Sequence, residues 1–201
     1  TIVTPTIFPI LYSQAFLIRK YSQIGLLSNL GLITTLLLQF WVVRLSFKYE
    51  YKWLMLISGL GIALANFLIP LAQSFSLLLL LYIFLRAVTS FYHPVVIAWI
   101  SRSRTGSGQE LDDAMGIQSG SGNLGALVAF ITTGYLAQHF GWKTPLYLWS
   151  LISLVMTAAG VSVINRVSSR QEIKPDLSAA SWATVLKRIS HLIPGFFLAG
   201  S

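Results

Sequence analysis

Cysteine does not occur in this chain, which excludes disulfides and thiolate metal sites within it. Charge is nearly as scarce: charged residues make up 10% of the sequence, where a soluble domain carries about 25%. The six acidic residues (Glu50, Glu110, Asp112, Asp113, Glu172 and Asp176) all fall outside the apolar runs. No carboxylate is therefore expected at membrane depth to carry a proton or to pair with a cation. Polar and apolar residues do not alternate at strand period, and an open sheet in lipid would leave backbone groups unsatisfied, so strands are not expected.

What the chain does contain is continuous hydrophobicity. Apolar residues make up 55% of it, and mean hydropathy is +0.71. Runs of about 20 apolar residues recur, each long enough at about 1.5 Å rise to cross a hydrocarbon core of about 30 Å. This predicts an all-α, polytopic integral membrane protein. The first apolar stretch, about residues 1–16, opens without an initiator Met and is expected to be an incomplete helix. Further helices are expected over about 22–43, 53–71, 76–100, 114–137 and 145–164. Within "HFGWKT", Thr144 and Pro145 predict an N-cap followed by Pro in the first turn. Residues 166–189 form a polar, basic central loop. In it Trp182, Val185, Leu186 and Ile189 keep helical spacing beside Lys187 and Arg188, as in a short interfacial helix. Residues 190–201 open a further span.

Basic residues are unevenly shared between the connectors. Arg44, Lys48, Lys52, Arg102, Arg104, Arg166, Arg170, Lys174, Lys187 and Arg188 fall in one alternate set. The other set holds Arg19, Lys20 and Lys143. The positive-inside rule then places loops 44–52, 101–113 and 166–189 in the cytoplasm, with the protein multi-pass in the plasma (inner) membrane. The net charge of +8 is explained by topology and anionic headgroups, with no nucleic-acid partner needed.

Three stretches carry a family resemblance. "LRAVTSFYHPVV" is similar to the fourth-helix pattern of the major facilitator superfamily, and its Phe-Tyr-His-Pro resembles a signature of the fosmidomycin-resistance-like branch. "AMGIQSGSGNLGALVAF" resembles that branch's Gly-rich fifth helix, through Gly122, Asn123 and Gly125. "GYLAQHFGWKTPLYLW" resembles the junction of helices five and six. The resemblance implies the six-helix N-terminal bundle of such a transporter, built as 3+3 inverted repeats, followed by a central loop and the start of helix seven. It also implies alternating access against a second six-helix half, on the same full-length chain or on another protomer. Drug-efflux-like export of a small organic compound, by antiport if protons drive it, is the first functional expectation. Uptake of an organic anion, or a non-transporting membrane subunit, are the alternatives; no cofactor and no metal are implied. One segment departs from the family. Where the gating loop usually reads Gly-x-x-x-Asp-Arg-x-Gly-Arg-Arg, the basic positions Arg44 and Lys48 remain, but Gln39, Val43 and Ser46 replace the Gly, Asp and second Gly.

Candidate site residues follow from the cost of polarity in lipid. An Arg at mid-depth costs between about 2.5 and 17 kcal/mol, so Arg86 should face the bundle interior or water. On a continuous helix Arg86, Ser90 and His93 share a face, with Thr89 beside them. Arg86 could meet an anionic group or fix packing by bonding a neighbouring backbone. His93 could line a cavity and exchange a proton, its ordinary pKa lying near 6.5, or could satisfy a carbonyl freed by Pro94. Gln118, Asn123 and Gln14 are further candidates for substrate binding or coupling. Gly116, Gly120, Gly122 and Gly125 give the fifth helix small-xxx-small spacing, expected to let it pack closely against a neighbour. Enzymatic readings fail on motif: "GIQSGSGN" contains no G-x-S-x-G, and neither HExxH nor a phosphate-binding GxxxxGK[ST] is present.

Overall fold

The computed structural model describes residues 3–13, 17–103 and 108–168. The chain divides into two compact units, Thr1–Gln171 and Glu172–Ser201, and the second lies outside the described residues. So do Gln14, most of the central loop and the expected start of a further span.

Among the described residues there are seven α-helices: α1 (Val3–Ser13), α2 (Tyr21–Lys48), α3 (Tyr51–Leu68), α4 (Phe75–Thr89), α5 (Tyr92–Ser103), α6 (Gly108–Phe140) and α7 (Lys143–Ser168). Four stretches are long and apolar enough to cross a membrane: Tyr21–Ser46, Tyr51–Leu71, Phe75–Ile100 and Lys143–Val163. Leu32, Leu36, Leu37, Phe40 and Trp41 on α2, and Leu124, Leu127, Phe130 and Ile131 on α6, are exposed, as lipid-facing side chains are. Several hydroxyls inside these apolar helices bond back to their own backbone. Thr34 donates to the Leu30 carbonyl, Thr132 to Val128 and Thr157 to Ser153, so none competes for a partner in lipid.

Several sequence boundaries change. The expected loop 44–52 shrinks to Tyr49 and Glu50, because α2 continues to Lys48 and α3 starts at Tyr51. Arg44 and Lys48 are therefore helical residues. The expected loop 101–113 is mostly helix as well, since α5 runs to Ser103 and α6 begins at Gly108. Glu110, Asp112 and Asp113 thus ride on the first turns of α6, whose 33 residues span about 50 Å, well beyond a hydrocarbon core. At the α6–α7 turn Gly141 takes φ +83°, the left-handed conformation that ends a helix and suits glycine. Thr144 is not the N-cap: its hydroxyl donates to the Phe140 carbonyl at 2.8 Å, tying the turn together. By contrast Ser74 caps α4, its Oγ accepting from the Leu77 N–H at 3.3 Å.

The largest correction concerns the fourth span. Instead of one helix over 76–100, α4 ends at Thr89 and α5 begins at Tyr92, with Ser90 and Phe91 in a turn. Pro94 supplies the cause, having no N–H for the Ser90 carbonyl and a ring that crowds it.

Part of the packing is symmetric under exchange of the first three spans with the second three, although the α6–α7 contact has no equal between α2 and α3. Helix α3 packs on α7 at the centre, α1 on α6 as α2 on α4, and α1 on α7 as α4 on α3. The main core gathers Ile7, Phe8, Leu11, Ile69, Leu78, Leu81, Tyr82 and Leu146, toward the end holding the α3–α4 and α6–α7 turns. A smaller cluster of Val42, Leu54 and Val95 sits at the α2–α3 end.

Candidate functional site: a cavity at the α4–α5 break

Breaking a helix in lipid frees backbone carbonyls, and each must be satisfied internally. Around the break, carbonyls that already accept a backbone N–H also accept a hydroxyl. Ser90 Oγ donates to Ala87 O at 2.6 Å, Thr89 Oγ1 to Arg86 O at 3.0 Å, and buried Ser58 on α3 reaches across to Val88 O at 2.9 Å. Gly61 on the same helix lies against Val88, where a Cβ would collide with that side chain. The break is thus held from both sides. His93 takes no part: it makes no hydrogen bond to the described residues, so the carbonyl-satisfying alternative gains no support.

A cavity of about 500 Å³ opens beside this break. Arg86 and Thr89 from α4, Tyr92 and His93 from α5, Thr35 and Gln39 from α2, Gly122 and Gly125 from α6 and Trp149 from α7 line it. Arg86 is held by its stem and its Nε. That nitrogen donates to the Gly31 carbonyl on α2 at 3.3 Å, an oxygen also accepting from Thr35 Oγ1 at 2.9 Å. Gly31 makes this approach possible: a Cβ there would stand 2.8 Å from the Tyr82 ring and 3.0 Å from Arg86 Cγ. Arg86 lines the cavity, and no carboxylate pairs with it among the described residues. His93 is exposed there, its ring edge-to-face with Tyr92 at 5.5 Å. Trp149 is fixed by its Nε1–H donating to buried Thr133 Oγ1 at 3.1 Å.

The sequence-derived candidates divide. Arg86 and His93 meet in the cavity, as do Gly122 and Gly125. Ser90 does not line it: the side chain is 1% exposed and spent on the Ala87 carbonyl, because the break ends the helical face that would have carried it there. Gln118 and Asn123 are not among the lining residues. Among the described residues the α6 glycines take no close neighbour. A Cβ at Gly116, Gly120, Gly122 or Gly125 would meet nothing within 4 Å, so no described helix rests on them. The close approach belongs to α3, whose Gly59 abuts Thr157 of α7 while Gly61 abuts Val88. Arg44 and Lys48 are remote from this cavity, at the end of α2. The sequence reading missed Gly31, Thr35 and Gln39 as a unit, although their spacing of four residues marks one stripe on an otherwise apolar helix. It also missed Gly59 with Ala63 and Gly61 with Ala65, which have small-xxx-small spacing; both alanines are buried.

An all-helical bundle with exposed apolar surfaces and helices long and apolar enough to cross a membrane defines an integral membrane protein. The chain belongs to the Major Facilitator Superfamily, whose family model matches residues 2–201. Comparison with curated proteins and with solved structures returned no match. Membership makes it a transporter of the facilitator kind, a family whose members move small molecules across lipid bilayers.

Proposed function

We propose that this chain is the N-terminal half of an alternating-access secondary transporter for a small organic compound. The cavity at the α4–α5 break is this half's share of the substrate route, and Arg86 meets an anionic group on the substrate. The observation that carries the reading is the state of Arg86: its Nε is committed to the Gly31 carbonyl, and no described carboxylate neutralises it. An uncompensated guanidinium in a membrane interior is costly, and an arriving anion relieves that cost. Charge-assisted, bidentate contact also suits a carboxylate or phosphate-like group.

Gln39 and His93 complete the polar wall. With no acid in the spans, proton coupling within this half falls to His93. Export in the plasma (inner) membrane is the direction suggested by the similarity of "FYHP" and "GNLG" to the fosmidomycin-resistance-like branch. A second six-helix half, against which this one rocks, is the implied partner. Proteoliposome transport, run with and without a pH gradient, tests the reading. Arg86→Ala should abolish anion transport, and His93→Ala should remove the response to the pH gradient. Wild-type transport in both variants would overturn the site assignment.

A further inference from the structure

A second concavity lies on the other side of Tyr92. It is a groove of about 420 Å³ between α3, α5 and α7, and it shares Tyr92 and Ile62 with the Arg86 cavity. Its character is opposite. Met55, Met156 and Gly160 supply an apolar lining, and a Cβ at Gly160 would meet nothing within 4 Å, so the glycine leaves open space. Two hydroxyls do reach the groove, but both are spent: Ser153 Oγ donates to the Trp149 carbonyl at 2.7 Å and Thr157 Oγ1 to the Ser153 carbonyl at 2.6 Å. An occupant finds no free hydrogen-bond donor in the groove beyond the Tyr92 hydroxyl at its boundary, since both hydroxyl protons are committed to carbonyls. Hydrocarbon is the chemistry that fits, and flexible thioethers adapt to its shape.

We infer that the groove binds a single hydrocarbon chain, and that groove and cavity together take a single-chain amphipathic anion. Its headgroup sits at Arg86, its chain passes Tyr92, and its tail lies against Met55, Met156 and Gly160. The headgroup half of this assignment rests on the cavity reading above; the chain half rests on the groove alone. Tyr92 suits the junction because its ring offers an apolar face to the chain and its hydroxyl a polar edge to the head.

The test uses the protein in nanodiscs and a dodecanoate whose tail carbon bears a diazirine, with photolabelled residues mapped by mass spectrometry. Labelling is expected at Met55 and Met156 and is expected to be competed by plain dodecanoate. Gly160→Phe fills the groove and should cut that labelling about tenfold, the factor that burying one to two methylenes carries, while lipid-facing Leu36 and Leu127 label as before. Ala159→Phe, at a second exposed groove position, should act in the same way with an unchanged melting temperature. Labelling at Met55 and Met156 that survives both fillings overturns the groove as a chain site. Arg86→Gln should weaken labelling at the same residues. If the fillings abolish labelling but Arg86→Gln leaves it intact, the headgroup assignment falls and the chain site stands.

Discussion

Two small residues govern where the guanidinium of Arg86 can be. Gly31 allows the Arg86 stem and the Tyr82 ring to lie against α2, and its carbonyl anchors Nε. Gly31→Leu should destabilise the bundle by about 1–3 kcal/mol through overpacking. It should also displace Arg86, so thermal melting and anion binding are expected to fall together. Ser58 acts on the other flank, its hydroxyl covering the Val88 carbonyl at the break. Ser58→Ala should cost about 0.6–1.7 kcal/mol, the range for interhelical hydrogen bonds in membranes, read as a lower melting temperature in detergent. Sequence made Arg86 legible because a lone cation in an apolar run must have a cavity or a partner. Ser58 was not legible, since a serine in a span ordinarily bonds its own helix, and only the location of the broken carbonyl makes it matter.

At the scale of elements, the α4–α5 break decides the geometry of the site. A continuous helix would bring Ser90 onto the face shared by Arg86 and His93; the turn at Ser90–Phe91 instead buries Ser90 and carries Tyr92 and His93 to the cavity wall. Pro94 lies in the first turn of α5, where proline is tolerated, and Pro94→Ala supplies the N–H that a continuous helix would need. The expected outcome is an unchanged melting temperature with loss of the His93-dependent response to a pH gradient, a separation that a destabilising change could not produce. The proline was visible in the sequence, but whether a span kinks or breaks at proline depends on partners for the freed carbonyls. At this break the Val88 carbonyl accepts from Ser58, 30 positions away in sequence. Glycines divide along the same line. Spacing alone marks both α3 and α6 as small-residue helices, yet only tertiary placement reveals that α3 is pinned between α4 and α7 while the α6 glycines lie open. Gly61→Leu should therefore lower the melting temperature, at about 1–3 kcal/mol, whereas Gly120→Leu should leave it within about 0.5 kcal/mol of the parent.

For the whole molecule, the all-helical membrane class was readable because lipid imposes length and apolar continuity on the runs that cross it. Connector lengths were not, because polar residues such as Arg44, Lys48, Asp112 and Asp113 continue a helix past the hydrocarbon edge as readily as they end it. This matters for orientation, which rests on where the basic residues lie relative to the membrane. Helix α3 offers the cleanest test: the Tyr49–Glu50 connector precedes it and the Ala72–Ser74 connector follows it, so the two must lie at opposite membrane faces if α3 spans. Glu50 and Gln73 are both exposed, and the absence of native cysteine lets each be replaced by a lone reporter thiol. Basic residues flank Glu50, with Lys48 before it and Lys52 after it, while no Lys or Arg lies between Lys52 and Arg86. The charge rule then puts Glu50 in the cytoplasm. In intact cells a membrane-impermeant maleimide should label Gln73→Cys and spare Glu50→Cys, and permeabilisation should expose the latter. Labelling of both thiols in intact cells would mean that α3 does not span. Labelling of Glu50→Cys alone would invert the bundle, and with it the side from which the Arg86 cavity is loaded.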